Sequence, residues 1–136
     1  MAIHDSVEQV LQSRETIGNT FYDVFFRRHP EVRRYFAGVN LARQGVVLTM
    51  AIAVIEQYYK RSYPATERYL HYLGTRHEEL GIPASAYPWF RDALLETLAQ
   101  FHGQEWSAEL AAEWQAAIDK TTQTMLESYR KQEVGD

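Results

Sequence analysis

His77 has the surroundings in this sequence that most suggest chemistry, because it lies in the segment LGTRHEELGIP, one turn before a glycine. A neutral imidazole that donates one N–H to a carbonyl can offer its other nitrogen to a metal ion. The carbonyl of Leu73, four residues earlier on a helix, is the expected acceptor. Taken alone, such a histidine is more often a partly buried residue bonded to a carbonyl than a ligand.

A second polar side chain, Gln44, can lie opposite His77 if two helices fold back on each other at a turn near residues 62–64. At about 1.5 Å per residue, Gln44 is roughly 25 Å before that turn and His77 roughly 20 Å after it. The two residues can therefore lie at similar heights on facing helices, with a flat ligand between them. Apolar walls for such a ligand can come from both helices and from earlier segments: Leu48, Leu73, Ile82, Phe36 and Tyr22.

Composition limits what this chain can be. Its 136 residues suit one domain, and 46% of them are apolar, enough for a core. The absence of cysteine excludes disulfides, thiolate catalysis and cysteine-bound metals. Scattered basic residues and a net charge of −4 give no reason to expect nucleic-acid binding. With no long apolar run and no signal-peptide core, we expect no membrane span and a soluble, cytoplasmic protein.

The hydrophobic pattern has a helical period almost throughout and predicts an all-α fold. We expect about seven helices of mixed length packed in pairs, rather than a four-helix up-down bundle. Ser6 with Gln9 is typical of a capping box that opens the first helix, and Gly18 suggests a bend before the second. Later boundaries are predicted at Pro30, Gly81, Gly103 and Ser107. The prediction is one domain over residues 1–136, with a core of about residues 6–127 and a polar C-terminal tail that frays.

Three segments in order resemble one known family: FYDVFFRRHPEVRRYF, RQGVVLTMAIAV and LGTRHEELGIPASAYPWFRDALLETL. The chain is similar to globins, and most of all to the bacterial single-domain haemoglobins and the haem domain of flavohaemoglobins. The resemblance covers nearly the whole chain, to about Met125. It implies a globin fold of the three-over-three kind around a haem pocket.

The same resemblance implies haem b, iron protoporphyrin IX, with His77 as the ligand of the iron. Tyr22 and Gln44 match the distal tyrosine and glutamine, with Leu48 one turn further on. Gln44 is placed by the AIAV match, and Gly45 and Val46 are the competing positions. The other matched or neighbouring haem contacts are Phe36 on the haem face, Leu73, Arg76 near a propionate, Ile82, Tyr87 near the proximal side, and Phe90.

Each of these residues also has an ordinary structural interpretation. Tyr22 and Phe36 can be core residues, Gln44 an exposed helix residue and Arg76 a surface charge. The remaining histidines are predicted to be surface or packing residues: His4, His29, His71 and His102.

The first functional hypothesis is a haem protein that binds dioxygen and other small diatomic ligands, nitric oxide and carbon monoxide, at a five-coordinate iron. Tyr22 and Gln44 would donate hydrogen bonds to the ligand and slow oxygen release. No residue is assigned a catalytic role, and the sequence makes no prediction about the oligomeric state.

Three alternatives remain at this point. One is a nitric oxide dioxygenase that depends on a separate reductase. The family's enzymes use a glutamate on the last helix, but that position falls near Tyr129 here, with Glu127 two residues away. Another is a gas- or redox-sensing globin that acts through a partner. The third, a globin fold without haem, is disfavoured by the pairing of His77 with Phe36.

Overall fold

The computed structural model describes residues 1–13 and 17–135, with side chains as far as residue 129. In these ranges the chain forms helices and no strands, as the sequence predicts. The six α-helices are α1 (Ile3–Gln12), α2 (Ile17–Arg28), α3 (Leu41–Lys60), α4 (Pro64–Glu79), α5 (Ala86–His102) and α6 (Ala108–Gly135). Two 3₁₀ segments, Pro30–Phe36 and Gly103–Glu105, follow α2 and α5. The tail predicted to fray continues α6 as helix to Gly135.

The helices pack in crossed pairs rather than as a parallel bundle. The longest helix, α6, packs against α3, α4 and α5, while α2 packs against both α3 and α5. The buried apolar residues form two separate clusters. The larger is built around Trp114 and Phe21, and the smaller around Tyr58, Leu70 and Tyr87.

Two glycines allow helices to cross at backbone contact. A Cβ on Gly18 of α2 would lie 2.3 Å from the Cα of Gly45 in α3, far inside van der Waals distance. A Cβ on Gly74 of α4 would lie 2.2 Å from the carbonyl oxygen of Met125 in α6. The predicted break between the first two helices is present but earlier than Gly18: α1 ends at Gln12 and α2 begins at Ile17. Gly18 is the second residue of α2, and its missing side chain lets α3 approach.

Several helix boundaries follow the sequence signals. Pro30 occupies the first turn of its short helix, and the Oγ of Ser107 accepts a hydrogen bond from the backbone N–H of Leu110 at 3.1 Å. Ser6 differs, because it lies inside α1 and is fully buried. Its Oγ shares a 2.5 Å hydrogen bond with Nε2 of His102 and accepts a 3.0 Å bond from Nε1 of Trp114. The capping-box prediction is wrong, and Ser6 instead joins α1 to α5 and α6.

Among the described residues no single helix is long and apolar enough to cross a membrane. One bent pair, Pro30–Phe36 with Leu41–Lys60, passes the same test of length and composition across a bend of 102°.

Candidate functional site

Tyr22 and Gln44 meet where α2 crosses α3. Tyr22 is buried, and its ring packs edge-on against Phe36 with centroids 5.3 Å apart. Burial raises the pKa of Tyr22 to about 12, and a hydrogen bond with the side chain of Gln44 opposes this rise. A bond that favours the phenolate is one in which the amide N–H of Gln44 donates to the phenol oxygen. The hydroxyl proton of Tyr22 is then free to be donated elsewhere.

The glycine crossing explains why this pair forms. Gly18 lies one turn before Tyr22, and Gly45 follows Gln44 directly, so the backbone contact between the glycines brings the two polar side chains together. Gly45 has no side chain to offer, and Val46 is 47% exposed. Of the three competing positions in α3, Gln44 is the one whose side chain bonds Tyr22.

Three further predicted haem-site residues belong to the larger apolar cluster or pack against it. Leu48 is buried in it, while Phe36 and Phe90 are partly buried and pack against it. Phe90 of α5 contacts Phe21 at a centroid distance of 5.4 Å. This cluster therefore presents an apolar surface beside the hydroxyl of Tyr22.

His77 of α4 bonds to one tyrosine, which in turn bonds to a second. Its Nδ1 lies 3.1 Å from the hydroxyl of Tyr87 in α5, not on the carbonyl of Leu73 that the helix predicts. The hydroxyl of Tyr87 is in turn a donor to Tyr129 of α6 at 3.5 Å, and that of Tyr129 donates to the carbonyl of Ile82 at 2.7 Å. Each hydroxyl has a single proton, and Tyr87 uses its proton to donate to Tyr129. The hydroxyl of Tyr87 must therefore accept from His77, so the Nδ1–H of His77 is the donor.

The turn after α4 closes this series of hydrogen bonds into a ring through His77, Tyr87, Tyr129 and Ile82, called the His77 circuit below. Gly81 has a φ of 83°, a left-handed conformation suited to glycine. This conformation allows the N–H of Ile82 to donate to the carbonyl of His77 at 3.0 Å, and the N–H of Gly81 to donate to the carbonyl of Glu78 at 2.9 Å. These are the two hydrogen bonds of a Schellman motif. Ile82 thus accepts from Tyr129 and donates to His77.

The circuit fixes the protonation of the imidazole. Burial lowers the pKa of His77, so the ring is neutral near pH 7. Burial and the bond to Tyr129 raise the pKa of Tyr87 far above its usual value, so this phenol is neutral as well. With Nδ1 protonated and occupied, Nε2 is the nitrogen whose lone pair can bind a metal.

The other predicted residues on this side differ in burial. Leu73 and Ile82 are partly buried and pack against the smaller apolar cluster, which includes Tyr87 and Tyr129. Arg76 is exposed, as a residue near a carboxylate of a ligand at the protein edge would be. The predicted apolar and aromatic site residues thus divide between the two clusters. The larger has Tyr22, Leu48, Phe36 and Phe90, and the smaller has Leu73, Ile82 and Tyr87.

These residues fit the predicted haem. On α3, Val47 is 45% exposed and lies between Gln44 and Leu48 in sequence. On α4, Leu80 is 63% exposed one turn after His77. Exposed apolar side chains next in sequence to the predicted ligand residues are suited to contact a flat apolar group.

Two features of the site lie beyond sequence reasoning. Tyr129 stands beside Tyr87, whereas the neighbouring carboxylate, Glu127, turns to His71, with 3.2 Å between Oε1 and Nε2. Glu78 has a buried carboxylate oxygen with no hydrogen-bond partner among the described residues, and its charge raises the pKa of both Tyr87 and Tyr129. Gly81 and Ile82, which follow His77, were a local sequence signal for the turn. No local sequence signal indicates that Tyr129 accepts a hydrogen bond from Tyr87.

Comparison with known proteins identifies the family and the fold. The Globin family profile matches residues 19–125. A Pseudomonas aeruginosa PAO1 protein described as structurally highly homologous to a human haemoglobin superposes with a TM-score of 0.82 at 23% identity, covering 93% of this chain and 95% of that one. The haemoglobin of the shortfin mako, Isurus oxyrinchus, superposes with a TM-score of 0.72 at 14% identity, covering 92% and 93%. A search of curated protein sequences gave no match.

Proposed function

The chain belongs to the globin family, and we propose that it holds one b-type haem through Nε2 of His77 and binds a small diatomic gas on the side of Tyr22. When bound, haem supplies an iron with one coordination position open to dioxygen, nitric oxide or carbon monoxide. In this proposal His77 would hold the iron, and Tyr22 would donate a hydrogen bond to the gas.

The observation that carries the proposal is the hydrogen-bonded circuit through His77. It places the proton on Nδ1 and leaves Nε2 unprotonated, as a metal ligand must be. Because the acceptor is a neutral phenol, the imidazole keeps its Nδ1–H and binds as a neutral ligand.

On the opposite side, Tyr22 is the hydrogen-bond donor. In this proposal one amide N–H of Gln44 donates to its oxygen, which polarises the hydroxyl and strengthens it as a donor. The amide has a second N–H, so donation by Gln44 to the gas stays a prediction beside its role in orienting Tyr22. A donor aimed at a ligand that carries partial negative charge favours dioxygen over carbon monoxide.

The test is the absorption spectrum of the haem-loaded chain and of His77→Ala. The intact chain should give a five-coordinate spectrum when reduced without ligand, and a carbon monoxide adduct. His77→Ala should lose haem or shift the Soret band, and His4→Ala, an exposed histidine on α1, should not. Unchanged haem retention and an unchanged spectrum in His77→Ala would overturn the proposal.

Gas binding is better supported than nitric oxide dioxygenase turnover. The enzymes of the flavohaemoglobin kind place a glutamate beside the proximal tyrosine, and here Tyr129 is the side chain beside Tyr87. A neutral phenol that itself donates to a carbonyl does not draw the proton away from His77 as a carboxylate would. Sustained consumption of nitric oxide over many turnovers, by the chain supplied with NADH and an added reductase, would reverse this preference.

A further inference from the structure

A second group of metal-ligating side chains lies away from the haem site, on the surface between α4 and α6. Glu67 and His71 are four residues apart in α4, so they share one face of that helix. Glu127 of α6 faces them, and one potential ligand atom from each of the three residues lies within 4.8 Å of the others. Two carboxylates and an imidazole therefore converge on one point.

The geometry points to a binding site for a divalent transition-metal ion, with Zn²⁺ as the representative, held by Glu67, His71 and Glu127. Ligand atoms about 2.0–2.2 Å from a tetrahedral zinc are roughly 3.4 Å from each other. Nε2 of His71 and Oε1 of Glu127 are already 3.2 Å apart, close to that separation. Glu67, a flexible side chain on the helix surface, supplies the third ligand, and water fills the fourth position.

The ligand set selects among metals. An imidazole nitrogen suits zinc, cobalt, nickel and copper, whereas Mg²⁺ and Ca²⁺ prefer sites made of oxygen atoms alone. Two carboxylates cancel the double positive charge of the ion, so the occupied site carries no net charge from these groups. Zn²⁺ should therefore bind well below the concentration at which Mg²⁺ does.

The position of the site gives the ion a structural effect. His71 lies six residues before His77 in α4, and Glu127 lies two residues before Tyr129 in α6. In α4, Gly74, whose backbone contacts Met125 of α6, lies between His71 and His77. A bound ion would therefore cross-link the same two helices that the His77 circuit joins, about 9 Å further along α4.

The chain contains a matched control on another surface. His4 also lies near two carboxylates, with Nε2 3.6 Å from Glu8 and Nδ1 3.5 Å from Glu56. Its two contacts use different ring nitrogens, which point in different directions. One metal ion cannot bind either nitrogen of His4 and reach both carboxylates, so this group should not hold zinc.

The experiment is calorimetric titration of this 136-residue chain with Zn²⁺, and in parallel with Mg²⁺. We expect one equivalent of Zn²⁺ to bind and to raise the melting temperature. His71→Ala should weaken binding by more than roughly tenfold, because loss of a direct ligand exceeds the about 10–100-fold cost of losing an outer partner. Glu127→Gln and Glu67→Gln should each weaken it as well, while His4→Ala should not.

Each variant needs a separate check that it folds, by circular dichroism and by its own melting temperature without metal. The three positions lie at the surface, so all three variants should fold. Absence of Zn²⁺ binding to the intact chain at millimolar concentration would overturn the proposal. So would stoichiometric binding that survives both His71→Ala and Glu127→Gln, or that His4→Ala removes.

Discussion

His77 and Ile82 are connected by hydrogen bonds twice over. The backbone N–H of Ile82 bonds the carbonyl of His77 directly, at 3.0 Å, and the carbonyl of Ile82 receives the end of the chain that starts at Nδ1 of His77. The main chain and the side chain of the histidine are therefore fixed to the same residue. Two tyrosines from different helices complete the link, so α5 and α6 both set the orientation of an imidazole that belongs to α4.

The first prediction concerns this circuit. Tyr87→Phe should speed haem loss, because it leaves the partly buried Nδ1–H of His77 without its acceptor, which costs about 1–3 kcal/mol, or roughly a five- to hundredfold change in rate. Tyr129→Phe should have a smaller effect, since Tyr87 still accepts from His77. Haem transfer to an excess of an acceptor protein measures both rates. Tyr72→Phe, at a site 59% exposed, is the control. Equal rates in all three variants would contradict the circuit.

The second prediction concerns oxygen release. Tyr22→Phe removes the proposed donor and should speed oxygen dissociation by roughly five- to a hundredfold, from a bond worth about 1–3 kcal/mol. Gln44→Leu should speed it less, because it removes only the amide that orients Tyr22. Carbon monoxide release should change less than oxygen release in both. Stopped-flow rates for the two single variants and the double decide the matter, and changes below twofold would make Tyr22 a packing residue.

A double variant tests the relation between the two residues. If Gln44 acts only through Tyr22, adding Gln44→Leu to Tyr22→Phe should change the oxygen dissociation rate no further. Additive effects would instead mean that Gln44 donates to the ligand on its own.

The third prediction concerns the crossing of α2 and α3. Gly18→Ala should lower the free energy of unfolding by about 3 kcal/mol or more, the upper end for overpacking, because the new methyl group meets backbone rather than a movable side chain. It should also speed oxygen release, since separating the helices weakens the bond between Tyr22 and Gln44. Gly103→Ala is the control: nothing lies near its Cβ, its backbone (φ 58°, ψ −123°) is strained for alanine by about 1–3 kcal/mol, and oxygen release should not change. Denaturant melts and oxygen dissociation rates measure both effects.

The fourth prediction is a pH dependence. Burial lowers the pKa of His102 from its usual value of 6.5, with partial opposition from Glu105. The unfolded chain therefore binds a proton more readily than the folded one, so stability falls as the pH drops through 6.5 and stops falling below the folded pKa. Denaturant melts between roughly pH 7 and pH 5 should show a shallower slope for His102→Gln than for the intact protein. Because His77 titrates in the same direction, the difference between the two proteins, not the slope itself, reports His102. Identical slopes would refute the assignment.

Local sequence signals predicted much of the helical framework. Pro30, Gly81 and Ser107 act within a few residues of their own positions, so their turn and cap chemistry is visible in the sequence. The all-α class and the globin resemblance also hold, because helical period and ordered motifs do not depend on exact contacts.

The wrong predictions concern residues whose structural role depends on a contact with a residue distant in sequence. Ser6 fits a capping box locally, but its burial depends on His102 and Trp114 near the other end of the chain. Gly18 suggests a bend, but its structural role is to allow the backbone contact with Gly45. The acceptor for His77 was predicted one turn back, whereas Tyr87 lies ten residues ahead on another helix. Periodicity contains no information about which helices cross, or where.

The buried bond between Ser6 and Trp114, residues separated by 108 positions, has a consequence for synthesis of the protein. At about 5–20 residues per second, a ribosome that has made Ser6 needs roughly 5–20 s more to make Trp114. Helices themselves form in about a microsecond or less. Throughout that interval the hydroxyl of Ser6 lacks the indole of Trp114, so α1 can pack on α3 before its buried hydrogen bonds are completed by α6.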